Sequence, residues 1–88
     1  MKKEVEIVNK LGLHARAAAK FVHKANEYKS RVFLDFNSQR VNGKSIMGLL
    51  MLAAPVGSKI ELETDGVDEE EAMAALSGMI ADRFGEKE

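Results

Sequence analysis

The spacing of apolar residues in this chain switches repeatedly between a period of two and a period near 3.6. No strand-like segment is apolar on both sides. "EVEIV" (Glu4 to Val8) alternates, so Val5 and Ile7 share one face of a strand. In "HARAAAKFVHKANEY" the residues Ala18, Phe21, Val22 and Ala25 recur at the spacing of an amphipathic helix. "RVFLDF" returns to period two with Val32, Leu34 and Phe36 on one face; "NSQ" supplies a turn and "RVN" a short hairpin partner. "SIMGLLML" reads as a short apolar helix with Ser45 at its N-cap. "SKIELETDG" is a strand with Ile60 and Leu62 inward, Glu61 and Glu63 outward. In "VDEEEAMAALSGMIADRF", Asp68 and Glu71 have the spacing of a capping box, and Ala72, Leu76, Met79, Ile80 and Arg83 follow at helical spacing. The order is β-α-β-β-α-β-α. Strands apolar on one face only suit an antiparallel sheet, open to solvent on one side and covered on the other. The expected fold is therefore α+β: an open-faced β-sandwich, with a four-stranded antiparallel sheet and three helices packed on one face. No repeat or linker interrupts the 88 residues, which read as a single domain, 1–88.

Composition narrows the function by exclusion. Apolar residues are 45% and charged residues 31%, a folded globular balance, and the net charge of −1 offers no basic field for nucleic acid or membrane. With no Cys there is no disulfide, thiolate nucleophile or Cys-ligated zinc, which fits a reducing compartment. The opening "MKKEVEIVNK" alternates charged and apolar residues, unlike a secretory leader, and no apolar run approaches the ~20 residues of a membrane span. A cytoplasmic location is expected. His14 and His23 are nine residues apart, about 900° around a helix, so they point to opposite sides and no metal site is expected. An RNA-binding sheet would display stacking aromatics; here only Phe33 faces outward, beside Glu61 and Glu63. No carboxylate pair, Gly-rich nucleotide loop or Ser/His/Asp set marks a stand-alone enzyme, and no cofactor is expected.

The segment "GLHARAAAK" (Gly12 to Lys20) carries the chemistry. His14 stands where the first strand has ended and the first helix begins. A helix start leaves N–H groups unpaired and carries partial positive charge, which favours an anion such as phosphate and disfavours an imidazolium. A neutral imidazole beside those amides is what a phosphoryl-accepting nucleophile requires. Arg16 can supply a guanidinium to phosphoryl oxygens, and Gly12 permits backbone that brings the loop close to the ring. The residues alone leave two readings open: a phosphoryl site, or a capping histidine and solvated arginine on a small regulatory ligand- or protein-binding domain.

"GLHARAAA" resembles the active-site signature of the histidine-containing phosphocarrier (HPr) family of the bacterial phosphotransferase system, and "NGKSIMGLLML" resembles that family's second motif. The similarity covers essentially the whole chain, with some features ("NKLGLHARAA", "LLML") of the nitrogen-related branch, NPr. It implies that His14 accepts phosphate at Nδ1 from phosphoenolpyruvate through Enzyme I and passes it to EIIA-type transporter components or regulators. It implies Arg16 as the active-site arginine and the amides of Ala15, Arg16 and Ala17 as phosphate donors. Ala17 departs from the family, which has proline in that slot; alanine gives less pre-organisation and keeps an N–H.

Two further expectations concern partners. The resemblance makes Ser45 a site for HPr kinase/phosphorylase, with links to transcriptional regulators, whereas the residues themselves make it a helix cap. In the short helix Leu49 and Leu52 suit the core, leaving Ile46, Met47 and Leu50 for a docking surface, with Gly48 lowering the local profile. Lys10, Arg16, Lys20, Lys24 and Lys44 are placed to ring that patch, while acidic residues gather at 61–65 and 69–71. A monomer is expected.

Overall fold

Alternation along the strands becomes two layers once the apolar faces are brought together. The computed structural model describes Met1–Glu88. It contains β1 (Lys2–Glu6), α1 (Ala15–Ala25), β2 (Arg31–Phe36), β3 (Gln39–Asn42), α2 (Ile46–Leu52), β4 (Lys59–Asp65) and α3 (Glu69–Ala81), followed by a tight turn at Arg83–Gly85. Every pairing is antiparallel and the sheet order is β1-β4-β2-β3. The element order and the open-faced architecture are those expected from the sequence.

The inward residues Val5, Val32, Leu34, Val41, Ile60 and Leu62 are all buried, as are Ala17, Ala18, Phe21, Val22 and Ala25 of α1. They form one core with Leu49, Leu52, Met73, Leu76 and Ile80. α1 packs on α2 and α3; α3 lies over β1 and β4, and α2 over β3. Burying each large apolar side chain contributes roughly 1.5–3 kcal/mol, so this layer carries the fold. The opposite sheet face is charged. Arg40 joins Asp35 at 2.7 Å and Glu63 at 2.8 Å, and its guanidinium stacks on the Phe33 ring at 4.2 Å. Hydrogen bonding from Arg40 outweighs desolvation and holds the Glu63 carboxyl below its ordinary range.

Three expectations need correction. The first strand lies earlier than Glu4 to Val8: β1 ends at Glu6, and Val8 is exposed. α3 stops at Ala81, short of Arg83, because the chain turns left-handed there (φ 57° at Arg83, 53° at Phe84); Arg83 is exposed, as the wet end of that face should be, and Phe84 is buried. Asp68 and Glu71 form no capping box. Asp68 stands at the N-cap, but its side chain makes no bond to its own helix. It accepts instead from the amides of Lys29 and Ser30, both at 2.9 Å, and from the Ser30 hydroxyl. A carboxylate that accepts three bonds has a better use than capping one amide, and it ties the turn after α1 to the start of α3.

The Ser30 hydroxyl bond, with the Lys29 and Ser30 amides, outweighs desolvation and holds the Asp68 carboxyl below its ordinary value of 3.8. A lowered folded-state value means stability that is present above the unfolded value and lost as pH falls through the folded one. Asp68→Asn is therefore expected to lower the urea midpoint at neutral pH and to flatten the loss of stability below about pH 4. Parallel stability–pH curves for the two proteins below that pH would contradict the assignment.

Candidate functional site

The chain between β1 and α1 is shaped by Asn9 and Gly12. Asn9 is fully buried; its carbonyl accepts from the Gly12 amide at 3.1 Å, and its Nδ2 donates to the Gly12 carbonyl at 2.8 Å. Gly12 has φ +71°, and a Cβ there would lie 2.7 Å from the Ala54 carbonyl oxygen. The next residue, Leu13, donates its amide to that same oxygen at 2.9 Å and buries its side chain. The glycine's conformational freedom thus brings the loop against the chain leaving α2.

This route delivers His14 to the N-cap of α1 in extended conformation (φ −87°, ψ 179°). Its Nδ1 accepts from the Arg16 amide at 3.3 Å. An acceptor nitrogen carries no proton, so the neutral ring holds its proton on Nε2, and Nε2 donates to the Glu86 carboxylate. The lone pair of Nδ1 therefore faces the Arg16 amide in the first turn of α1. Ala15 and Arg16 are exposed, and Arg16 makes no ion pair. The first turn of α1 contains no acidic residue.

The segment after α3 folds over this site. Lys20 donates Nζ to the Phe84 carbonyl at 3.0 Å, Asn9 Nδ2 donates to Glu86 Oε1 at 3.0 Å, and Lys10 lies 3.5 Å from the Glu88 carboxylate. Burial pushes the Glu86 carboxyl up, but hydrogen bonds from Asn9 and His14, with the nearby charge of Lys20, outweigh it and hold it below the usual range. Lys10, His14, Arg16, Lys20, Glu86 and Glu88 line one open depression.

The structure brings Gly12, His14, Ala15, Arg16 and Lys20 together and separates others. Ala17 is fully buried in the core, so its amide lies beneath the surface that Ala15 and Arg16 present. Lys24 pairs with Glu27 at 3.4 Å, and Lys44 donates to the Tyr28 carbonyl at 2.7 Å, so these two serve the far end of α1 and do not ring the patch. Ser45 is the N-cap of α2, its Oγ accepting from the Gly48 amide at 3.0 Å. Ile46 and Met47 are exposed, 41% and 69%, with Met51 at 64% beside them, whereas Leu50 is half-buried against the core. Gly48 faces inward, where a Cβ would meet Val41 Cβ at 3.3 Å; its role is close packing on β3, not a low outer profile.

Sequence reasoning missed Asn9, Glu86 and Met51. Asn9 had a legible signal, since asparagine three residues before glycine is a common turn pairing. Glu86 had none, because its contact with His14 spans 72 residues.

Residues 1–82 match the family model described as "PTS HPr component phosphorylation site". The phosphocarrier protein HPr of Neisseria meningitidis is 60% identical over 88 residues, covering 100% of this chain and 99% of its own. The crystal structure of HPr from Thermoanaerobacter tengcongensis superposes with a TM-score of 0.95 at 42% identity, covering 100% of this chain and 99% of the other. An HPr dimer from the same organism superposes at 0.79 with 45% identity, covering 93% and 94%.

Ala17 is the third residue of α1, and no carbonyl accepts from its amide. Proline there removes no helical hydrogen bond and restricts the unfolded chain. Ala17→Pro is expected to raise the stability measured by urea unfolding by up to about 1 kcal/mol. A loss of more than about 1 kcal/mol would show that the core has no room for the ring.

Proposed function

The chain belongs to the HPr family of phosphocarrier proteins of the phosphotransferase system, and from that premise we propose that His14 is its phosphoryl acceptor. As a carrier it is not a catalyst in its own right. The observation that supports His14 is the direction of its Nδ1 lone pair, toward the amide of Arg16, whose own side chain is unpaired, at the start of α1. Nδ1 attacks the phosphorus of a donor, an N–P bond forms, and the bond to the donor breaks with its electron pair leaving on the donor. The phosphoryl oxygens then meet the Ala15 and Arg16 amides and the Arg16 guanidinium. Two amides and one arginine stabilise the intermediate without trapping it.

In this reading the donor is phosphoenolpyruvate acting through Enzyme I in the cytoplasm, and the acceptors are EIIA-type components or regulators. The exposed Ile46, Met47 and Met51 form the docking surface, with Arg16 and Lys20 supplying positive charge at the adjoining site. The charged open face of the sheet supports a monomer. Ser45, half-buried at the start of α2 and next in chain to Ile46 and Met47, is the modification site for HPr kinase/phosphorylase; a phosphate there places a dianion beside the docking surface.

Phosphoenolpyruvate plus Enzyme I is expected to put acid-labile label on His14. His14→Ala should take none, and Arg16→Ala should be labelled at least about tenfold more slowly. Acid-stable label confined to Ser45 would overturn the carrier assignment. ATP with HPr kinase should label Ser45, and Ser45→Ala should remove that label while costing about 1 kcal/mol of stability through the lost cap; an unlabelled wild-type protein would leave Ser45 as a cap alone.

A further inference from the structure

The proposed chemistry uses Nδ1 of His14, yet the side chain that meets the ring does so on the other nitrogen. Nε2 meets Glu86, whose second carboxylate oxygen is held by Asn9 at 3.0 Å. Asn9 is fully buried, and its Nδ2 also holds the Gly12 carbonyl. The turn that places the histidine is thus bonded to the carboxylate that orients its ring. We propose that Asn9 and Glu86 are positioning residues that keep a proton on Nε2 throughout the phosphoryl cycle, and so keep the phosphohistidine a labile donor.

The argument rests on the His14 reading and follows from the charge balance of the step. When Nδ1 bonds to phosphorus with Nε2 protonated, the ring takes a positive charge. On transfer to water, oxygen attacks phosphorus, the N–P pair returns to Nδ1, both water protons leave on the phosphate, and a neutral imidazole remains. If Nε2 loses its proton first, the departing group is an imidazolate, a far poorer leaving group, and the phosphate stays. A carboxylate on Nε2–H favours the protonated ring. Lys10, Arg16, Lys20 and Lys87 line the same depression and oppose that charge, while Glu88 lies with Lys10. Glu86 is the one carboxylate bonded to the ring. The His14 and Glu86 side chains are only 27% and 17% exposed, so solvent screens the pair incompletely.

Glu86→Gln keeps the shape and removes the charge. The decay of phosphorylated protein is measured against pH for wild type, Glu86→Gln and Glu88→Gln. The pH at which decay slows on the alkaline side is expected to fall by about half to one unit in Glu86→Gln, lengthening the half-life at about pH 8 by roughly three- to tenfold. Asn9→Ala should move the same way by less, and Glu88→Gln should superimpose on wild type. A Glu86→Gln curve superimposed on wild type, or an equal shift in Glu88→Gln, overturns the proposal. The unphosphorylated ring gives an independent readout by nitrogen NMR: the neutral wild-type ring should be Nε2-protonated, and Glu86→Ala should populate the Nδ1-protonated form. A wild-type ring already protonated on Nδ1 sinks the proposal whether or not Enzyme I labels the protein; failure of labelling with the tautomer shift intact tells against the phosphoryl reading alone.

Discussion

The site depends on how closely the loop before α1 approaches the chain leaving α2. Gly12 lies where any side chain would collide with the Ala54 carbonyl, and Leu13 hydrogen-bonds to that same oxygen. Ala54 is buried, and Ala53 before it turns left-handed to end α2. This one contact sets the distance between the histidine and the exposed methionine-bearing face of α2. On the proposed reading, a partner docked on Met47 and Met51 would meet His14 in a fixed relation, through backbone atoms that no surface substitution can move easily. A cost falls on the loop, since a left-handed turn must be held; the Asn9 side chain holds it from within the protein.

The three helix starts show how the chain separates tasks that share the same physics. α3 begins with Glu69, Glu70 and Glu71, carboxylates that complement the positive end of the helix from within the chain. α2 begins with a serine that satisfies one amide and leaves the rest. α1 begins with a histidine and no acidic residue in its first turn. An acid there would stabilise the isolated helix by a few tenths of a kcal/mol or more, but in the proposed role it would occupy the phosphoryl group's place and repel it. The helix forgoes that stabilisation, and the burial of Ala17, Ala18, Phe21, Val22 and Ala25 compensates.

Local signals made the scaffold legible. Alternation assigned β2 and β4, helical spacing assigned the buried face of α1, and a serine before an apolar run located the cap of α2, because each depends only on near neighbours along the chain. The failures share a cause. Asp68 has the spacing of a capping box, but Ser30 and Lys29, 38 and 39 residues away, capture its carboxylate. Gly48 looks like a concession to a partner until β3 is seen beneath it. Lys24 and Lys44 belong to the positive ring by count, yet each finds an oxygen at the far end of α1. The placement of His14 and Arg16 at the start of a helix was readable from a short motif; the group on the far side of the ring was not, since nothing near Glu86 in sequence points to residue 14.

That distant group shows how the chemistry draws on the core. Arg83 and Phe84 both adopt left-handed backbone, a conformation that costs roughly 1–2 kcal/mol per residue away from glycine. Burial of the Phe84 ring contributes up to about 3 kcal/mol, and Lys20 holds the Phe84 carbonyl. The turn that satisfies the core therefore also aims the following residues back across the start of α1, which is how Glu86 reaches the imidazole. A carrier has little else with which to tune its intermediate: a second cation would bind the phosphate too firmly, and a deeper pocket would exclude the next protein. A carboxylate on the remote nitrogen acts on the leaving group instead of the phosphate, so it adjusts the tendency to transfer while leaving the phosphoryl face open to whichever partner comes next.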